Sequence, residues 1–366
     1  MLENTLYKLR NMPDFTVAYF GGSITEGAGA SSYENCWAAK TTAWLREQFP
    51  KCRIRHIQAA IGGTDSTLGA FRCERDVCAH KPDLVFFEFS VNDSALDFET
   101  ALKNAEACFL KLWKSDPTTD IVTVYTITKT LSDRMAQGAI WSAKVAHGAV
   151  SEYYAVPQID IGEVLRCRVL TEGSADESDG NWLKYTTDTC HPNDVGYELY
   201  AEAVQEHLSR WLSGVDTPAV LTPVALPKPI VSEESSHLRA HMVDCREAVT
   251  DDAWTLKEES LCRRYPRYIE CTEPGGSLTF HFHGSRIDLY WMMASDSGDA
   301  LCSIDGNEEV LISSWDSYCT RFNRANAACV AKGLDEKEHT LRLRLANSHA
   351  SGSTGTALRI GAFLVL

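Results

Sequence analysis

The sequence contains no apolar run approaching the roughly 18 residues of a membrane span. Its first ten residues, Met-Leu-Glu-Asn-Thr-Leu-Tyr-Lys-Leu-Arg, lack the apolar core of a secretory leader. Positive charge is in deficit. There are 35 Lys and Arg against 50 Asp and Glu, a net charge of -15, and the acidic excess runs through both halves. Without a basic stripe, neither nucleic acid nor an anionic membrane is expected as the main partner. No Cys-x-x-Cys pair occurs; the thirteen cysteines are scattered and odd in number. That excludes the usual zinc-ligand spacing and predicts reduced thiols, small core hydrophobes such as Cys108 and Cys302, in a cytoplasmic protein. No metal and no cofactor is expected.

What is present is an ordinary globular composition, 44% hydrophobic and 23% charged, over 366 residues, long enough for two domains. Up to about residue 212, strand-like runs (17–20, 53–61, 83–89, 120–127 and 156–161) alternate with amphipathic stretches (36–49, 97–114, 140–154). Several of the runs are almost continuously apolar, as strands covered on both faces are. A last helix over 194–212 follows Pro192 and a capping Asn193. The alternation predicts a parallel sheet between helices, with ligands at the carboxyl ends of its strands. Pro218, Pro223, Pro227 and Pro229 then mark a linker or surface strap. Short strand candidates follow at 268–272, 277–283, 286–293, 300–304, 308–312, 340–346 and 358–366, with Asp305-Gly306 as a hairpin signal. The expected domains are 1–212 (α/β), 213–235 (linker) and 236–366 (an all-β jelly roll or sandwich).

The first strand ends at Gly21-Gly22-Ser23-Ile24-Thr25-Glu26-Gly27. Such a turn holds a serine hydroxyl out at a sheet edge. Attack on an acyl carbon by Ser23 needs a base, a carboxylate orienting that base, and donors for the oxyanion. Asp188-Thr189-Cys190-His191-Pro192 supplies the first two. An Asp three residues before a His can fold back to accept the Nδ1 proton, leaving Nε2 facing Ser23. Ile61-Gly62-Gly63-Thr64 and Ser90-Val91-Asn92-Asp93 follow the second and third strands. Gly63 lets a backbone N–H approach a ligand closely, and Asn92 offers a side-chain amide. A phosphate-cradling role for residues 21–29 is disfavoured, because neither Lys-Ser/Thr nor the G-x-G-x-x-G order is there.

Four blocks in order, Gly21-Gly22-Ser23-Ile24-Thr25, Gly63, Asn92, and Asp188 with His191, resemble the SGNH (GDSL-like) hydrolases over residues 14–212. The resemblance implies a flavodoxin-like three-layer fold and a Ser23–His191–Asp188 triad. It also implies an oxyanion hole from the Ser23 and Gly63 N–H groups and the Asn92 amide. Two departures are visible: Gly22 stands where the eponymous motif has Asp, and Ser90 where Gly is usual. The Gly-Gly-Ser-Ile-Thr form with an appended sandwich is similar to bacterial carbohydrate acetyl esterases. This implies a metal-independent serine esterase acting on short acyl, above all acetyl, groups of plant-type oligosaccharides. A lysophospholipase or thioesterase, and an inactive glycan-binding protein, are the rival readings. The expected partner is an acylated small molecule or oligosaccharide, with homo-oligomerisation left open.

Trp182 and Glu26 are further candidates for substrate contact, each with a bland alternative in packing or solvent. His281 and His283 share one strand face and are expected at a solvent-facing sheet surface rather than on a metal. Trp291, Trp315 and Tyr318 are either sandwich core or a sugar platform.

Overall fold

The computed structural model describes residues 2–172, 179–213, 220–232, 235–259, 261–262 and 266–366. Two compact units are distinguished, Met1–Leu238 and Arg239–Leu366. The predicted linker falls partly outside the described residues, at 214–219 and 233–234.

In the first unit, strands β1 (Asp14–Gly21), β2 (Arg53–Gln58), β3 (Leu84–Glu88), β4 (Asp120–Tyr125) and β5 (Gln158–Asp160) pair in parallel, in the order β2-β1-β3-β4-β5. Helices α1 (Glu3–Asn11), α2 (Ser23–Glu26), α3 (Trp37–Gln48), α4 (Ser66–Asp76), α5 (Phe98–Ser115), α6 (Lys129–Ala136), α7 (Ser142–Tyr153), α8 (Ile161–Glu172), α9 (Asp179–Trp182) and α10 (Asp194–Ser213) complete it. The order is the flavodoxin-like doubly wound one. Its direction reverses between β1 and β3, where such sheets place their ligands.

The strand sequences explain the layering. Alternate residues face opposite sides, so Tyr19 stacks on Phe86 at 5.1 Å on one face. On the other, Phe20 meets Phe87 at 6.1 Å, and Phe87 meets Phe109 of α5 at 5.3 Å. Both faces are thus aromatic core, and burial of each such ring stabilises the unit by roughly 1.5–3 kcal/mol. Helix starts are set by side-chain caps: Asp65 accepts Thr67 and Leu68 N–H at 2.9 and 3.3 Å, and Asp97 accepts Thr100 N–H at 2.8 Å.

The proline-rich segment 220–232 is strapped onto this unit. Asn4 and Thr222 exchange two hydrogen bonds (2.9 and 2.8 Å), and Val224 N–H donates to Pro117 O at 2.7 Å. The buried Glu106 carboxylate accepts Ile230 and Val231 N–H at 2.6 and 3.0 Å. Those charge-assisted bonds satisfy a backbone that prolines prevent from pairing as a strand.

The second unit is antiparallel. It contains β6 (His241–Asp244), β7 (Val249–Thr250), β8 (Trp254–Lys257), β9 (Tyr268–Cys271), β10 (Ser277–Met293), β11 (Asp299–Ile304), β12 (Val310–Ser313), β13 (Arg324–Leu345) and β14 (Leu358–Val365). Two long strands make the sandwich by bending. The first part of β10 pairs with the end of β13 and with β7; after a register shift at Gly284–Arg286 it pairs with the start of β13 and with β14. At the bend a Cβ on Gly284 would lie 2.5 Å from Leu366 O, so only glycine fits. Phe280 and Phe363, on the two layers, stack at 4.0 Å in the core between them. The predicted strands 277–283 and 286–293 are therefore one bent strand, and residues 324–339 extend a strand expected only at 340–346. Asp305 and Gly306 take φ of 54° and 76°, as the hairpin signal requires. All thirteen cysteines are free thiols. Among the described residues no helix is long and apolar enough to cross a membrane.

Candidate active site

β1 delivers its chain to a turn with no room for side chains. A Cβ on Gly21 would sit 2.3 Å from Glu88 O, and one on Gly22 only 1.9 Å from Asn92 Oδ1. The two glycines let the Ser23 turn and the Asn92 side chain pack against each other. Helix α2 then runs one turn, Ser23–Glu26, closing at Gly27 with φ 98°.

The Ser23 hydroxyl lies 2.9 Å from His191 Nε2, across 168 positions of sequence. His191 Nδ1 is 2.8 Å from Asp188 Oδ2, while Asp188 Oδ1 accepts the N–H of His191 and Cys190 at 2.8 and 3.2 Å. With its Nδ1–H on the carboxylate, the imidazole presents a bare Nε2 to the serine. Partial burial works against the Asp188 charge. The amide and imidazole of His191 more than offset it and hold the carboxyl below its usual range. The neighbouring Cys190 thiol is pushed up to about 12, by burial first and then by the Asp188 charge, so it stays protonated.

Two ties fix the histidine loop to the serine loop. Asp194 accepts Ser31 N–H at 2.8 Å, Ser31 Oγ at 2.5 Å and Asn35 Nδ2 at 3.1 Å. The Tyr197 hydroxyl, buried on α10, lies 3.0 Å from Ile24 O and 2.7 Å from Ala28 O. Asn193 caps α10 through Val195 and Gly196 N–H at 3.0 and 3.1 Å, as its position predicted.

The remaining candidates are placed as follows. Gly62 lies against Ser23; a Cβ on it would be 3.4 Å from Ser23 Cβ. Gly63 follows with φ 68°, exposed at the rim. Asn92 begins the turn after β3, with its amide beside Gly22. Glu26 accepts Gly62 N–H at 2.7 Å, which ties the glycine loop to α2 and gives Glu26 a scaffold contact. Trp182 is 1% exposed within the hydrophobic core, which is the packing alternative for this residue. In the second unit His281 and His283 are exposed, and no metal-binding group of His, Cys, Asp or Glu occurs among the described residues. Trp291 is buried core, whereas Tyr318 is exposed, so these aromatics do not share one platform.

Three buried charges beneath the site were not anticipated. Arg72 lies over the Phe20 ring at 4.6 Å and donates to Gly21 O at 3.2 Å and to Ala59 O, clipping together the ends of β1 and β2. Asp93 accepts Ser66 N–H at 2.8 Å and pairs with His147 Nε2 at 2.8 Å, anchoring the Asn92 turn to α4 and α7. Glu88 accepts the hydroxyls of Thr25 and Thr126, each at 2.8 Å. Their only sequence signal is a charged residue inside an apolar stretch, as in Leu84–Phe89.

A serine, an imidazole and a carboxylate in hydrogen-bonded series at the switch point of a doubly wound sheet define the hydrolase class of site. Residues 19–199 match the GDSL-like Lipase/Acylhydrolase family. The α/β unit belongs to that family, and the chain is a carboxylic ester hydrolase. Among solved structures, a two-domain esterase active on acetylated mannans is similar along the whole chain. It is 21% identical, covers 100% of this chain and 94% of that one, and has a TM-score of 0.83. The same type of esterase co-crystallised with mannopentaose gives 20% identity, the same coverage and a TM-score of 0.82. At this identity the likeness is one of fold. No curated protein matches the sequence.

Proposed function

We propose that the chain is a serine esterase that removes acetyl groups from plant-type oligosaccharides. Ser23 Oγ attacks the ester carbonyl while His191 Nε2 takes its proton, and Asp188 holds the imidazole and stabilises the imidazolium. The N–H groups of Ser23 and Gly63 and the Asn92 amide receive the oxyanion. Collapse expels the sugar hydroxyl, protonated by His191; water, deprotonated by the same nitrogen, then attacks the acyl-enzyme and releases acetate. The observation carrying this reading is the unbroken series Ser23 Oγ, His191 Nε2 at 2.9 Å, His191 Nδ1, Asp188 Oδ2 at 2.8 Å. Glu26 contributes by holding the glycine loop. The choice of sugar ester is supported by the whole-chain likeness in fold to an esterase active on acetylated mannans. With its free cysteines, the protein suits a reducing cytoplasm, where it would meet short oligosaccharides rather than intact polymer.

The test is acetate release from acetylated manno-, xylo- and chito-oligosaccharides by the wild type and by Ser23→Ala. The wild type should release acetate, and Ser23→Ala should remain folded with turnover lower by about four orders of magnitude or more. Near-wild-type turnover by that variant would overturn the mechanism. A rate on p-nitrophenyl esters that climbs with chain length beyond acetate would instead favour a lysophospholipase or thioesterase.

A further inference from the structure

Glu88 is an acid where the fold has no need of one. It ends β3, the central strand of the sheet, and is 1% exposed, below the turn that carries Ser23. Its two oxygens are divided between two elements. Oε2 accepts the Thr25 hydroxyl, on α2 two residues after Ser23, and Oε1 accepts the Thr126 hydroxyl, in the loop that follows β4. Its backbone also bears on the turn, since the Glu88 carbonyl fills the space beside Gly21 where any side chain would go.

A one-turn helix has almost no stability of its own, so α2 keeps its place only through bonds to its surroundings. Four are on the page. Glu26 binds the Gly62 loop, Gln58 Nε2 donates to Thr25 O at 3.0 Å, Tyr197 reaches Ile24 O, and Glu88 holds the Thr25 side chain. Two of these come from the sheet: Gln58, at the end of β2, takes the Thr25 carbonyl, and Glu88, at the end of β3, takes the Thr25 hydroxyl. A bond from a neutral hydroxyl to a buried carboxylate is charge-assisted and short, and so is directional.

We propose that Glu88 is a positioning residue for the esterase reaction, its buried carboxyl fixing Ser23 at attack distance through Thr25. The inference rests on the assignment of Ser23 as nucleophile. Burial pushes the carboxyl up to about 7, although the two threonine hydroxyls oppose this. The titratable groups facing it are Asp93 in the turn after β3, His147 on α7, Cys190 beside His191, and Tyr197 and Tyr200 on α10. Asp93 raises it further and His147 lowers it. A group this expensive to bury, contributing no packing that methionine would not, is explained by what it holds.

The experiment measures kcat and KM for p-nitrophenyl acetate from pH 5 to 9, with thermal melting, for Glu88→Met, Glu88→Gln, Thr25→Val and the wild type. Glu88→Met should melt no lower than wild type, because it removes a buried charge, yet lose about tenfold or more in kcat with KM within about twofold. Glu88→Gln, which still accepts one hydroxyl, should recover most of that loss and remove from the wild-type profile an ionisation near pH 7. Thr25→Val should reproduce the loss in kcat and decides the matter if Glu88→Met does not fold. Wild-type kcat in both Glu88→Met and Thr25→Val overturns the inference. If Ser23→Ala keeps its activity, the nucleophile assignment fails first; if Ser23→Ala is dead while these variants run at wild-type rate, only the role of Glu88 fails.

Discussion

A methyl group on Gly22 should cost as much catalysis as removing the Asn92 side chain. The position of an ideal Cβ on Gly22 is 1.9 Å from Asn92 Oδ1 and 2.7 Å from its Cγ. Carbon and oxygen do not approach within about 3 Å without a bond, so in Gly22→Ala the amide must retreat by more than about 1 Å. An oxyanion donor, the role proposed for Asn92, would be lost at that displacement, and one such donor is worth about 10²–10³ in kcat, or roughly 3–4 kcal/mol of barrier. Asn92→Ala should show the same loss. The double variant distinguishes this from general damage: once Asn92 is truncated, the Gly22 methyl has space, so Gly22→Ala/Asn92→Ala should be little slower than Asn92→Ala alone. Initial rates on p-nitrophenyl acetate for the four members of the cycle measure the coupling. Additive losses, or a Gly22→Ala enzyme as fast as wild type, would refute the reasoning.

Trp182→Ala should destabilise the protein by about 3–5 kcal/mol, read by urea unfolding, with KM unchanged, because the indole is core. Arg72→Met strips buried carbonyls at Gly21 and Ala59 of a donor and should cost on the order of 3 kcal/mol in the same assay. For pH, the folded protein keeps a proton on Glu88 up to about 7 while the unfolded chain releases it near 4.5. Stability contributed by this group is therefore lost as pH rises through that window, by at most about 3 kcal/mol, and Glu88→Gln should flatten the slope seen in denaturant midpoints. Asp188, held low, acts in the opposite sense: its contribution fades only as pH falls below the ordinary carboxylate range.

The parallel sheet was legible because β1, β3 and β4 are almost continuously apolar, as strands covered on both faces are, although β2 alternates. The serine, histidine and aspartate were legible because their spacing predicts convergence: Asp188 folds back on His191 within one turn, and strand ends gather at the switch point. What was hidden depends on partners remote in sequence. Glu88 announces itself only as an acid in an apolar run, with nothing to say that Thr25 and Thr126 will meet it. Trp182 near Asp188 reads equally as wall or core until its burial is known. Gly62 and Gly63 are indistinguishable as letters; only the fold shows the first half-buried against Ser23 and the second exposed with a positive φ. Residues 324–339 lack the alternation of a half-buried strand because much of that surface is exposed on both sides.

Helix α10 closes the first unit's helical sequence, and it carries Asp194 and Tyr197, the ties that bring His191 to Ser23. A ribosome therefore makes Ser23 early and His191, its partner across 168 positions, much later. Under the mechanism proposed above, the hydroxyl stays inert through most of synthesis and gains its base only when α10 docks, so hydrolysis would report that the unit has been completed.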